Sequence, residues 1–381
     1  MDFSLPQELL SEIEQYKSAA QALLESNLDA WYRQRSLPRE FFSEVGRAGG
    51  YGYAVSDGRL IKRSAFREAL LAEELARRSP GAAIAALAHA DLGMMGLFLF
   101  GSEDLHRRYG ASALNGEAIM CLGNTESRAG SDVAAIAMQA EAVSGGWKLN
   151  GTKSFVTNGA VADLAVVTAV TDPAASRSQR LSMFLVDLHQ PGVRRTRLNK
   201  QVWLPSDLTR LELREVQVPE DHLLGRRGRG LAQVLAVFTH SRVAITALTL
   251  GTAAGAFDLA LRRALKRTAF GRRIADHQAK SFEIAERHAE IEAARLMLWK
   301  ACWKVDRGEE FREEASMAKY LAVAAAQKTA AWAADMFGAA SVMFEHPIHK
   351  FPMDVWGSSL GEGTQDVQKL IIFREVIKRY E

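Results

Sequence analysis

Apolar residues at Leu5, Leu9, Leu10 and Ile13 recur among polar ones at the three-to-four spacing of an amphipathic helix. The segment "REALLAEELARRS" continues in that style, and "GAAIAALAHADLGMMGLFLF" is apolar nearly all round. A helix of the second kind lies inside a bundle or lines a pocket. Helix is therefore expected over residues 1 to about 118. From about residue 119 the period drops to two. "DLAVVTAV" and "LSMFLVDL" are short apolar runs bounded by turn residues, "RLELREVQV" alternates strictly, and "SGGWKLNGTK" reads as a hairpin with turns at both ends. Together they predict a small all-β unit. From about residue 228 the helical period returns. Leu231, Val234, Leu235 and Phe238 share one face, and Ile284, Ile291, Leu298 and Val305 recur every seven residues. That repeat fits long helices packed nearly antiparallel, as in a four-helix bundle. The alanine-rich "AKYLAVAAAQKTAAWAADMF" lets neighbours approach closely, and "RGEEFREE" is a charged connector between two helices. The expected class is α+β, mostly α, with a sheet module between two helical ones and a ligand-sized crevice at their junction.

Composition narrows this picture. With 381 residues, 48% of them hydrophobic, the chain can build two or three packed modules. A net charge of only +3 argues against a dedicated nucleic-acid binder. Two local basic runs, Arg194, Arg195 and Arg197, and Arg226, Arg227 and Arg229, face an anionic ligand or are simply solvated. Cys121 and Cys302 stand far apart, so neither a disulfide framework nor a metal-ligand spacing is present, and a reducing compartment, the cytoplasm, is expected. The N-terminus is acidic and amphipathic rather than signal-like. No uncharged run of about 18 apolar residues is found, so no membrane-spanning helix is expected.

Four short stretches carry candidate chemistry. "GNTESRAGSD" (123–132) offers hydroxyls and free main-chain N–H groups that suit a polar ring edge or a pyrophosphate; an ordinary turn has the same composition. "NGTKSFVTNG" (150–159) holds two Asn-Gly pairs about a short strand pattern, the mark of a hairpin. In "RTAFGRRIADHQAKSFEIAE" (267–286) a glycine parts two helical patterns, with Arg, His and Gln around it. In "WGSSLGEGTQDVQKLII" (356–372) Glu362 stands between two glycines just before a helix, as a helix-start charge or as a base.

In order and spacing these stretches resemble the acyl-CoA dehydrogenase family along essentially the whole chain. "TESRAGSD" is similar to the family's Thr-Glu-Pro-x-x-Gly-Ser-Asp flavin loop. "NGTKSFVTNG" is similar to its Asn-Gly-x-Lys-x-Trp-x-Thr-Asn-Gly strand, "RTAFGRRIADHQ" to its Arg-x-x-Phe-Gly-x-x-Ile-x-x-x-Gln segment, and "GEGTQDVQKLIIFR" to its Tyr-Glu-Gly-Thr-x-x-x-Gln-x-x-Ile-x-Arg terminus. The resemblance implies an N-terminal α-helical domain (1–118), a central small β-barrel (119–224) and a C-terminal four-helix bundle (225–381). It implies bound FAD and a homotetramer (or homodimer), with an acyl-CoA or acyl-carrier-protein thioester as substrate and an electron-transfer flavoprotein as acceptor. Carried over by position, Leu122, Thr125 and Gly130 would hold the flavin, Ser131 would touch both flavin and the substrate's pantetheine arm, Phe155 would stack on the ring and Thr157 would bond near N5. Arg267, Phe270, Gln278 and Gly338 would reach a neighbouring subunit's FAD, Thr364 would close on the FAD pyrophosphate, and Thr239 with Arg242 would contact the thioester's carrier. Gly361 and Gly363 would flank the substrate.

The implied reaction explains the need for Glu362. Removal of a weakly acidic α-proton requires a carboxylate in a dry pocket, where desolvation makes it a better acceptor, and hydrogen-bond donors on the enolate oxygen. Some members carry the base just before the arginine matched by Arg242; here Ser241, preceded by His240, stands there, and neither is a carboxylate. Three departures point to a specialised member. Gly361 replaces the usual Tyr, which implies a wider pocket beside Cα for branched, cyclic or bulky acyl groups. "DMFGAAS" (335–341) replaces Gln-x-x-Gly-Gly-x-Gly, with Asp335 for Gln and Ala339 for Gly. Phe155 and Ser127 replace Trp and Pro. Competing readings are a flavin monooxygenase or oxidase, against which Glu362 argues, and a non-catalytic scaffold, which only the altered 335–341 segment favours.

Overall fold

The computed structural model describes residues 6–381, so Leu5 of the opening pattern lies outside the described residues. The first part holds α1 (Gln7–Glu25), α2 (Leu28–Gln34), α3 (Glu40–Arg47), α4 (Ala65–Arg78), α5 (Pro80–Leu87), α6 (Met95–Phe100) and α7 (Glu103–Leu114). It is not helical throughout. A hairpin of β1 (Tyr53–Ser56) and β2 (Arg59–Lys62) interrupts it. Asp57 and Gly58 both take positive φ, 50° and 76°, the two-residue turn that matches strand twist. α5 and α6 are joined through a π-helical stretch, Ala88–Met94, where the wider turn re-aims the side chains of His89 and Asp91.

Eight strands follow: β3 (Met120–Gly123), β4 (Gln139–Val143), β5 (Gly146–Thr157), β6 (Leu164–Val170), β7 (Leu181–Asp187), β8 (Val193–Arg197), β9 (Leu208–Pro219) and β10 (Leu223–Leu224). They form one sheet in the order β10-β7-β6-β4-β5-β9-β8, with β3 added parallel to β6. β6 is buried along its whole length and β7 along nearly all of its own, as their unbroken apolar runs require. The β4–β5 hairpin falls where the sequence places it. Asn150-Gly151, however, is no turn. β5 runs straight through it, with a register irregularity against β9, because ladders on both sides outweigh the local turn preference. A second irregularity between Lys153 and Val156 leaves Phe155 at φ 58°. The alternation of β9 likewise breaks at Glu215, whose N–H is taken by Asn150 Oδ1 at 2.8 Å.

The last part consists of α8 (Gly230–Lys266), a short ribbon of β11 (Thr268–Ala269) and β12 (Arg272–Arg273), then α9 (Gln278–Asp306), α10 (Arg312–Phe337), α11 (Lys350–Leu360) and α12 (Gln365–Ile377). α8 is buried without interruption from Ser241 to Phe257. Gly251 and Gly255, one turn apart, let α4 lie against it: a Cβ there would come within 2.2 Å of Glu73 O and 2.1 Å of Arg77 O. Ile291 and Leu298 of the seven-residue repeat are core, with Ile284 and Val305 at its margin. α11 is fixed from the sheet side. Trp203, from the β8–β9 link, lies 2.9 Å from the Cβ position of Gly357, and its N–H donates to Asp354. Pro80–Phe100 and Gly230–Lys266 are each long and apolar enough to cross a bilayer, but 78% and 89% of their most apolar windows are buried inside the fold. Their hydrophobic surface is used up by packing.

Candidate active site

α11 ends at Gly361 and α12 begins after Thr364, whose hydroxyl caps it by accepting from Val367 N–H. The short link between them carries Glu362 at φ 57° and Gly363 at φ 94°. Two left-handed residues in a row turn the chain so that the Glu362 carboxyl points inward. Oε2 is shut from solvent and has no hydrogen-bond partner among the described residues. The Glu362 main-chain N–H likewise donates to no protein acceptor among them. Burial pushes the carboxyl up to about 7, against the opposing pull of the Ser241 hydroxyl and the charges of Lys319 and Arg242. Ser241 thus touches the electrostatics of the base rather than replacing it, and the neighbouring His240 is held below its usual range by burial and by Lys62.

Gly361 has an ordinary φ of −63°, and a Cβ built on it would meet only Gly357 O, at 4.0 Å. A first side-chain carbon is therefore uncrowded at this position. Arg242 is buried, with Nη1 on Thr239 Oγ1 at 3.3 Å and Nε unpartnered among the described residues. Burial lowers it to about 10, with Glu362 pulling it back up. Lys319, wholly buried in α10, donates to the carbonyl of Gly361 and, at 2.6 Å, to that of Gly363. Gln368 Nε2 adds bonds to Glu362 O at 3.3 Å and Gly363 O at 2.9 Å.

The sequence reading missed Lys319 and a second buried cluster. Lys62 Nζ lies 2.6 Å from Glu68 and 3.6 Å from Asp91, and 4.2 Å above the Tyr53 ring. Burial and the neighbouring Glu68 raise Asp91, so Asp91 keeps the proton the two carboxyls share while Glu68 pairs with Lys62. The charge of Glu362 also acts on Asp91, which places this cluster near the base. A lone acid in an apolar helix, Asp91, was the available signal.

At the other candidate stretch, Lys153 is wholly buried in β5 and donates to Asn124 O at 3.1 Å and Glu126 Oε1 at 2.8 Å. Glu126 also accepts from Ala137 and Met138 N–H at 2.8 and 3.0 Å. This pins the 123–132 loop to the sheet while leaving the N–H groups of Thr125, Gly130 and Ser131 without protein acceptors among the described residues. Beside it the Phe155 ring is 61% exposed and Thr157 half-buried, and Leu122 is buried beneath in β3. Free donors next to a bare aromatic face suit a planar, polar-edged cofactor. Arg267, Phe270 and Gln278 do not join this site within the chain. They lie exposed around the β11–β12 ribbon, Phe270 at 98%. Asp335, Gly338 and Ala339 are exposed at the end of α10. One arginine of each basic run is structural: Arg195 donates to the carbonyls of Ala160, Ala162 and Leu188, and Arg227 to Thr171 O.

Three family models match in chain order: acyl-CoA dehydrogenase N-terminal domain over residues 10–117, middle domain over 121–216 and C-terminal domain over 228–377. The chain belongs to the acyl-CoA dehydrogenase family. It is 30% identical to the probable acyl-CoA dehydrogenase YngJ of Bacillus subtilis (strain 168), over 99% of this chain and 100% of that one. Butyryl-CoA dehydrogenase from Megasphaera elsdenii superposes with a TM-score of 0.94 at 26% identity, covering 99% of this chain and 100% of that one. The FAD complex of PigA superposes with a TM-score of 0.94 at 27% identity, covering both chains fully, 100% and 100%.

Proposed function

We propose that the protein catalyses FAD-dependent α,β-dehydrogenation of an acyl thioester, acyl-CoA foremost, with Glu362 as the base. The observation that carries this is the desolvated carboxylate oxygen of Glu362, which has no partner among the described residues, beside its own main-chain N–H, equally without an acceptor among them. The side chain takes the α-proton. The N–H would donate to the thioester carbonyl oxygen as negative charge builds on it. A carboxyl lifted to about 7 accepts a proton more readily than one in water. Thr125, Gly130 and Ser131 would hold FAD by their N–H groups, with Phe155 against the ring and Thr157 near its edge. FAD held there would supply the acceptor for the β-hydride, and an electron-transfer flavoprotein would be the acceptor of the electron pair. The open space at Gly361 supports a bulky acyl group. Exposed Phe270, Phe282 and Phe344 support assembly into a homotetramer, in which a neighbour covers them.

The test is anaerobic mixing of the flavin-loaded protein with straight-chain, branched and aryl acyl-CoA thioesters and with an acyl-carrier protein. Bleaching of the flavin by at least one of them is expected. The carrier giving faster bleaching identifies the physiological arm. Glu362→Gln should keep the flavin and slow bleaching by about 10²–10⁴-fold, the usual worth of a general base. No bleaching by any thioester would refute the assignment.

A further inference from the structure

Lys319 sits mid-way along α10 on a stripe of buried small residues, Ala315, Ala318, Ala322 and Ala326. An ammonium placed there without partners would be strongly unfavourable. Its two bonds go to main-chain carbonyls, those of Gly361 and Gly363, which bracket Glu362. They span a backbone that holds a non-glycine residue in the left-handed region. Gln368 braces the same link from α12.

We propose that Lys319 is the positioning residue of the base: it holds the 361–363 link so that the Glu362 carboxylate and N–H face the substrate together, and its charge keeps that carboxylate ionised. This rests on Glu362 being the base. The groups facing the pair are Arg242 and Ser241 from α8 and Asp91 from the π-helical stretch, with Arg312 acting on Arg242 from the start of α10. Burial lowers Lys319 to about 7, with Glu362 pulling it up and Arg242 pushing it down. The Lys319 charge favours the ionised form of Glu362. Removing it leaves burial less opposed, so the carboxyl must titrate at higher pH.

The experiment compares wild type, Lys319→Met, Lys319→Arg and Glu362→Gln as flavin-loaded proteins. The probe is whichever of butanoyl-, 2-methylpropanoyl- and 3-phenylpropanoyl-CoA bleaches the wild type fastest. In Lys319→Met the limiting rate of flavin reduction should fall about 100-fold, as for a misplaced base. Its acid limb should move up by about one pH unit or more. Lys319→Arg keeps the charge, so its limb should stay in place while its rate falls. A Lys319→Met protein with wild-type rate and unmoved limb overturns the proposal. Should Lys319→Met yield no folded protein, Lys319→Arg decides, because a limb that moves despite the retained charge overturns it equally. Continued bleaching by Glu362→Gln, or no bleaching by any probe, overturns the underlying assignment of the base instead.

Discussion

Gly361→Tyr tests the pocket directly. The native backbone there, φ −63° and ψ 146°, is open to any L-residue, so the substitution brings no strain. A new Cβ meets only Gly357 O at 4.0 Å, and the carbonyl that Lys319 holds is unchanged. Replacing a glycine in a compatible conformation stabilises by about 0.4–1 kcal/mol through the unfolded chain, so the melting temperature should hold or rise slightly. The ring adds a wall beside Glu362. A straight acyl chain can lie along it; a branch at Cα or a ring at Cβ must overlap it. Each excluded methylene-sized group costs about 1–3 kcal/mol, or roughly 10–200-fold in kcat/KM. The assay is anaerobic stopped-flow bleaching with butanoyl-CoA against 2-methylpropanoyl- and 3-phenylpropanoyl-CoA, in wild type and variant. The straight-chain rate should change little while the bulky substrates lose at least tenfold. Equal losses on all three, or a larger loss on butanoyl-CoA, would refute the reasoning that this space is where bulk is received.

Flavin reduction at saturating thioester should climb with pH and level off above about 7, because Glu362 must be ionised and burial has raised it to about 7. The folded carboxyl therefore holds its proton more tightly than the unfolded one. Its stabilising effect is complete below pH 4.5 and lost as pH rises through about 7, and a pH series of thermal unfolding should show this slope shrink in Glu362→Gln. Lys153→Met leaves the Glu126 carboxylate with only its two main-chain donors and should cost about 1–3 kcal/mol. Chemical denaturation and flavin content should fall together, and full flavin retention would show that the 123–132 loop does not depend on this pair. Phe270→Ser should lower the assembled mass by native mass spectrometry, since the ring is 98% exposed within its own chain; an unchanged mass would count against a subunit contact at Phe270.

The period changes at about residues 119 and 228 were legible because they are local, set by which side chains alternate or recur along a few turns. The β1–β2 hairpin hid inside a helical stretch because each strand has only four residues, too few to establish a period. Asn150-Gly151 misled for the opposite reason, as its local preference is overridden by ladders that only the folded sheet provides. Glu362 could be singled out by its flanking glycines. Lys319 could not, because a lysine in an alanine-rich helix reads as a solvated side chain. Only its place on the 315–318–322–326 stripe marks it as inward. The Lys62–Glu68–Asp91 cluster joins a hairpin, a helix and a π-helical stretch, and no window of sequence holds all three.

The link bearing Glu362 is gripped through its main chain: Lys319 and Gln368 bond carbonyl oxygens that every residue type possesses. The bonds that hold the link are therefore indifferent to which side chain position 362 displays, save for the left-handed backbone that residue must tolerate. That makes the base an interchangeable tool in a fixed holder. Asparagine or glycine, both at ease with that backbone, could be installed without reshaping the holder, leaving a flavin protein with its proton acceptor removed and its substrate chamber intact. Such a chamber is a natural starting point for engineering a different reaction on bound thioesters.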